Sequence, residues 1–323
     1  MTGDEGAPGT SEAEALEGGG RPADEASRGP LLDPAFLARL DRLRVRAGRQ
    51  RRLRGDRAGR HRSRRQATSP EVVGHRAYAP GDDPRRIDWP AYARLGELVV
   101  RATAAEDEAR VHLLLDASAS TSFGEPPKID VARQLLAAVG YLALAGGDAV
   151  SVRVAPPPLG RPGAAPLRRG RGAAGGLLAF LSGVSAAGPG SLAALVDAFL
   201  AGARRPGRVV LASDLLDPEG FAGPLDRLLS GGHDLRLLQV LCRDELEPAL
   251  PLGAALVLLD AETGAEMPLS WDPATRAAHR ASRDAFLASV DAWCRRRGVP
   301  LLRIVGEDGP IDEPLLRYLD AVG

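Results

Sequence analysis

From residue 111 onward, short apolar runs of strand length alternate with longer stretches of helical periodicity. That alternation restricts the chain to an α/β fold: a doubly wound, mostly parallel sheet with helices on both faces. Strands are expected at 111–115, 149–154, 208–213 and 235–241, and helices at about 128–145, 173–183, 191–202 and 218–230. A Pro-, Gly- and Arg-rich loop over 156–172 interrupts the series without founding a new domain. Strand-like segments 256–259 and 267–271 flank Glu262-Thr263-Gly264 as a hairpin. A helix over about 275–297, a strand over 301–305 and a helix over 312–321 then close the fold.

The first of these strands, Val111-His112-Leu113-Leu114-Leu115, runs directly into Asp116-Ala117-Ser118-Ala119-Ser120. One carboxylate and two hydroxyls so close together are hard oxygen donors, and a loop at the carboxyl end of a strand can turn all three inward. Such donors suit Mg²⁺ or Mn²⁺ better than zinc or copper. Ligands of an open parallel sheet bind outside the carboxyl ends of its strands, so two further loops are candidates. One is Gly188-Pro189-Gly190-Ser191 ahead of a helix, and the other is Ser213-Asp214 at the end of 208–213. Each has a simpler alternative: Ser191 is equally a helix N-cap, and Asp116, Ser118 and Ser120 could satisfy local backbone groups.

Upstream of residue 111 the composition changes twice. Residues 1–30 are acidic, rich in Gly, Ala and Pro and poor in large apolar side chains, which reads as a disordered tail. A basic extension follows over 31–110, ahead of the α/β domain at 111–323. It opens with a short amphipathic helix over about 34–47, where Phe36, Leu37, Leu40 and Leu43 recur at helical spacing. Twelve arginines lie within 42–65 against the single acid Asp56. Clustered arginine neutralises phosphates, but no aromatic side chain is interleaved for base stacking. A solvated basic surface is therefore favoured over nucleic-acid binding. Tyr78-Ala79-Pro80-Gly81-Asp82-Asp83 then signals a turn. The charges of Asp82, Asp83, Arg85, Arg86 and Asp88, with Trp89, make the segment a structural or partner-docking element, followed by a strand-like stretch at 97–101.

Formal charge is zero, 42 basic against 42 acidic residues, and Lys128 is the only lysine. Cys242 and Cys294, expected on a strand and a helix, are too far apart in sequence for a Cys-x-x-Cys pair or a zinc motif, which points to a reducing compartment. No stretch approaches the roughly 18 apolar residues of a membrane span. The acidic, Gly-rich start lacks the basic-then-apolar pattern of a signal peptide. A cytoplasmic protein without membrane insertion is expected.

A catalytic reading of Asp116 meets an obstacle at Ser118. Phosphotransferases of the haloacid dehalogenase type carry a second acid two residues after the nucleophile, and a hydroxyl stands there instead. The Gly-rich run from Arg169 to Gly176 lacks the Gly-Lys-Ser/Thr of a phosphate-binding loop.

The Asp116, Ser118, Ser120 and Asp214 pattern resembles the metal-ion-dependent adhesion site of von Willebrand factor type A domains. The resemblance implies that these residues, with Ser191 where that family usually has Thr, ligate Mg²⁺ or Mn²⁺. Over residues 31–321 the chain resembles the bacterial domain-of-unknown-function-58 family. The segments that carry the likeness are Gly59–Ser63, Tyr78 to Trp89 with Ala93-Arg94, Leu113–Ser120 with Phe123-Gly124 and Lys128, Ser213–Asp217, and Leu259–Gly264. This likeness implies a type A-like fold with an amino-terminal extension and no established enzymatic activity. It also implies association with MoxR-type AAA+ ATPases in chaperone-like maturation of other proteins. The expected function is a non-enzymatic adaptor whose metal captures an acidic side chain of a protein partner. The alternatives are nucleic-acid binding through 42–65 and, behind it, a metal-dependent phosphohydrolase using Asp116.

Overall fold

The computed structural model describes residues 35–45, 72–77, 89–96, 99–103, 110–158, 160, 162–203, 205–308 and 315. The predicted acidic tail and most of the arginine block therefore lie outside the described residues. Of the predicted helix over 312–321 only Leu315 is described, helical and buried. Ahead of the main sheet come a helix α1 over 35–45, a strand β1 Val72–Ala77, a helix α2 Trp89–Leu95 and a strand β2 Val99–Thr103. β1 and β2 pair antiparallel as a separate two-stranded sheet.

The main sheet is built from β3 Arg110–Asp116, β4 Ala149–Ala155, β5 Ala164–Arg169, β6 Arg208–Ser213, β7 Asp234–Leu241 and β10 Leu301–Val305, in the spatial order β10-β7-β6-β3-β4-β5. All neighbouring pairs are parallel except β4 with β5. In chain order, the strands of this sheet therefore run 3-2-1-4-5-6 across it. The direction of winding reverses between β3 and β6, the switch point at which doubly wound sheets open a crevice.

Helices cover both faces because β3 is apolar without alternation. Leu113, Leu114 and Leu115 are all fully buried, as a strand covered on both sides requires. Leu113 and Leu115 join the core under α3 Lys128–Ala145 and α4 Ala174–Ser182. Leu114 faces the opposite core, formed with α5 Leu192–Leu200, α6 Ala222–Ser230 and α8 Pro273–Arg297. Phe36, Leu40 and Leu43 of α1 pack into the first core, and Tyr141 on α3 donates a 2.7 Å hydrogen bond to the Asp41 carboxylate.

Two expectations change. Within the supposed loop over 156–172, residues Ala164–Arg169 form the antiparallel edge strand β5. An edge position tolerates Pro166, which cannot donate to a ladder, and hid the strand from pattern reading. The helix expected from about 218 begins at Ala222. Asp217 to Gly220 instead closes a turn, with Gly220 N–H bonded to the Asp217 carbonyl at 2.9 Å and Gly220 at φ +86°. The remaining elements are a short helix α7 Arg243–Leu246 and the antiparallel hairpin of β8 Ala254–Leu259 and β9 Glu266–Trp271. α8 starts with the Asp272 carboxylate accepting the Thr275 N–H at 2.7 Å and Pro273 in the first turn, and it ends at Gly298 in the left-handed region. Among the described residues no helix is long and apolar enough to cross a membrane.

His112 lies on β3 in the second core, its ring 5.0 Å from Phe199 and 6.0 Å from His233, with Nδ1 2.7 Å from the Ser151 hydroxyl. Burial, then the neighbouring His233, lowers its pKa from 6.5 to about 4. The unfolded chain therefore takes up this proton first. The stability that depends on a neutral His112 is whole above pH 6.5 and is lost as pH falls toward 4. Urea midpoints measured across that window should fall with acidification, and less steeply in His112→Gln.

Candidate metal centre

β3 ends at the switch point, and the loop after it is fastened on both sides. Ala117 N–H bonds the Ala155 carbonyl at 2.8 Å. Ala119 N–H bonds Gly188 O at 2.9 Å, and Ala187 N–H returns a bond to Ala117 O at 3.0 Å. The 187–190 loop approaches so closely that a Cβ on Gly190 would lie 2.4 Å from the Ser118 Cβ. Only glycine fits there.

Within this frame Asp116 accepts Ser118 N–H at 3.0 Å on one oxygen and the Ser213 hydroxyl at 2.7 Å on the other. The Ser118 and Ser120 hydroxyl oxygens lie 3.1 Å apart. Asp116 and Ser118 line one cleft, with Gly190, Ser213, Asp217 and Glu262 among its other walls, and Ser120 adjoins it through the Ser118 hydroxyl. Burial first, and the charge of Asp214 second, raise the Asp116 pKa above its ordinary value. Among the described residues that line the cleft, none has a cationic side chain.

Asp214 is buried beside Asp116 but is already paired. Its Oδ2 accepts a 2.6 Å bond from the Lys128 ammonium, and Oδ1 accepts Leu216 N–H at 2.9 Å. Lys128, only 1% exposed, bonds Glu245 as well. Burial works against its charge, but the Asp214 and Glu245 carboxylates outweigh that effect and the net pKa shift is upward. Gln239 donates to the Asp214 carbonyl at 3.1 Å and accepts from Arg303 at 2.7 Å, bracing the same corner. The next residue, Leu215, has φ +65°, the one positive value outside glycine among the described residues. Such strain costs about 1–3 kcal/mol and is held in place by its surroundings; here Leu215 N–H bonds the Ser213 hydroxyl at 2.9 Å.

Ser191 caps α5, its hydroxyl accepting Ala194 N–H at 3.2 Å. Asp217 accepts Leu192 N–H at 2.7 Å and lines the cleft from the same side. Glu262, at the turn between β8 and β9, accepts the Ser120 hydroxyl at 3.1 Å and Gly190 N–H at 3.2 Å. Lys128, Glu245, Asp217 and Glu262 were not singled out as site residues from sequence. Their partners lie up to 142 positions away, and short-range pattern carries no trace of such pairs. Of the expected docking residues, Asp82, Asp83, Arg85, Arg86 and Asp88 lie outside the described residues. Trp89 opens α2, 58% exposed and edge-on to Tyr92 at 6.1 Å.

Among the described residues no group of three or more His, Cys, Asp and Glu is arranged to hold a metal. The donors at this loop are instead one carboxylate and two hydroxyls, a set that fits a hard cation such as Mg²⁺ rather than zinc. Asp116, Ser118 and Ser120 would hold it. Asp214, the other predicted acidic ligand, has its carboxylate bonded by Lys128.

A profile of the family described as protein of unknown function DUF58 matches residues 74–286. The uncharacterized protein Rv1480 of Mycobacterium tuberculosis is 33% identical over 286 residues, covering 86% of this chain and 87% of that protein. Uncharacterized protein Mb1516 of Mycobacterium bovis matches equally. Among solved structures, the conserved hypothetical protein BatB from Bacteroides thetaiotaomicron aligns over 66% of this chain and 97% of its own, with TM-score 0.37 and 12% identity. An aerotolerance-related membrane protein from Bacteroides fragilis aligns over 66% and 99%, with TM-score 0.37 and 14% identity.

The ion pair behind the site yields a stability test. Lys128→Met leaves the Asp214 and Glu245 carboxylates without their buried cation. Removing one partner of such a pair costs about 3–5 kcal/mol. Urea unfolding should show a loss of that order, partly recovered when Asp214→Asn is added.

Proposed function

We propose that this chain, which belongs to the DUF58 family of proteins of unknown function, is a non-enzymatic, divalent-cation-dependent protein-binding adaptor. The observation that carries the proposal is a cleft at the switch point of the sheet lined by Asp116 and Ser118, with the Ser120 hydroxyl 3.1 Å from that of Ser118. Mg²⁺ bound there would supply a positive centre with coordination positions left for water or an incoming carboxylate. The chain's own groups do the rest. Ser213 orients Asp116, Gly190 lets the second loop close against Ser118, and Lys128 holds the Asp214 carboxylate.

The strand order supports the adhesion-type reading, since it places the loops after β3 and β6 side by side at the switch point. The partner is an acidic side chain on another protein, and the family resemblance points to a MoxR-type AAA+ ATPase engaged in maturation of client proteins. The phosphohydrolase alternative lacks a second acid at the Ser118 position. The nucleic-acid alternative rests on arginines of which only Arg42 and Arg44 are described, on α1; Arg44 pairs with Asp41 at 3.3 Å.

Retention of a co-produced MoxR-type ATPase on the immobilised chain is expected in Mg²⁺, and should be lost both in EDTA and with a folded Asp116→Ala variant. Equal retention under all three conditions would sink the proposal.

A further inference from the structure

The hairpin of β8 and β9 stands out in solvent. Val257 is 62%, Leu259 66% and Met267 56% exposed, and from Val257 to Pro268 every residue except the half-buried Glu262 is exposed. That one residue is drawn in because its carboxylate meets the cleft: Oε1 accepts the Ser120 hydroxyl and Oε2 accepts Gly190 N–H. One carboxylate thus bridges the first and second loops of the site.

The turn is built to present this side chain. The Asp260 carboxylate accepts Glu262 N–H at 2.9 Å and Thr263 N–H at 2.8 Å, and Gly264 N–H closes on Asp260 O at 2.8 Å. The Glu262 carboxylate takes part in none of these bonds and is free to meet the cleft.

We propose that Glu262 is an acidic ligand that the chain supplies to its own cation site. The inference rests on the reading of the Asp116–Ser120 loop as a holder of Mg²⁺. In the resting protein the hairpin tip then fills the place that a partner's carboxylate takes, and capture of a partner requires the hairpin to leave. Two features make this workable. Asp116, Asp217 and Glu262 line one cleft, so a bound cation favours the closed tip and the closed tip favours the cation, as reciprocal linkage requires. A two-stranded hairpin is only marginally stable by itself, so releasing its tip leaves the two cores of the main sheet intact.

The test is a titration of the full chain with Mn²⁺, with free ion read by electron paramagnetic resonance and bound water by proton relaxation. The expected result is binding by the wild type and none by Asp116→Ala. Glu262→Gln, a turn substitution that keeps the side chain's shape, should bind about ten- to a hundredfold more weakly, with additional water on the ion. If Glu262→Gln matches the wild type in affinity and hydration while Asp116→Ala does not bind, the Glu262 assignment is overturned and the cation site stands. If the wild type takes up no Mn²⁺, both the cation reading and the role of Glu262 are overturned.

Discussion

Burial of β3 on both faces is the constraint from which the rest of the molecule follows. With Leu113, Leu114 and Leu115 wholly out of solvent, helices must lie on either side of the sheet, and apart from His112, held by the Ser151 hydroxyl, polar side chains stand at the ends of the strand. Asp116 is at the carboxyl end. A carboxylate at the rim of a dry sheet has to be hydrogen-bonded or neutralised, and the bonds from Ser118 N–H and the Ser213 hydroxyl answer part of that requirement. They also fix the direction in which the Asp-x-Ser-x-Ser loop faces.

Charge at that rim is divided between two regions. The Lys128 ammonium pairs with Asp214 and Glu245, tying the start of α3 to the loop after β6 and to α7. A buried ion pair contributes little net stability because both charges lose their water, yet losing one partner is costly. Its effect here is to hold register among three elements. The other region, around Asp116, Ser118, Ser120, Asp217 and Glu262, contains carboxylates and hydroxyls but no cationic side chain among the cleft-lining residues. That imbalance is the physical basis for reading it as a cation site.

Much of the fold was legible before any coordinates. The apolar runs at 111–115, 208–213 and 235–241 are strands, the hairpin around Glu262 forms, and α3 spans the predicted residues. β5 escaped because Ala-Ala-Pro-Leu-Arg-Arg is neither apolar nor alternating; it pairs only at an edge, along β4. At the site, Asp116, Ser118 and Ser120 could be found because they share one short loop. Ser191 was assigned by its loop ahead of a helix and Asp214 by its place at the end of a strand, and the structure gives each a different immediate partner: Ala194 N–H for Ser191 and Lys128 for Asp214.

Local pattern by itself therefore determined the α/β class, the strand that carries the site and the loop that ends it. These follow from periodicity and donor chemistry within a few residues. Only the tertiary structure decided which distant charges meet. Lys128 reaches Asp214 across 86 positions, and Glu262 reaches Ser120 across 142. Such meetings depend on how strands and loops pack in register, and a side chain's identity does not encode which remote carboxylate or hydroxyl that packing brings within hydrogen-bond distance.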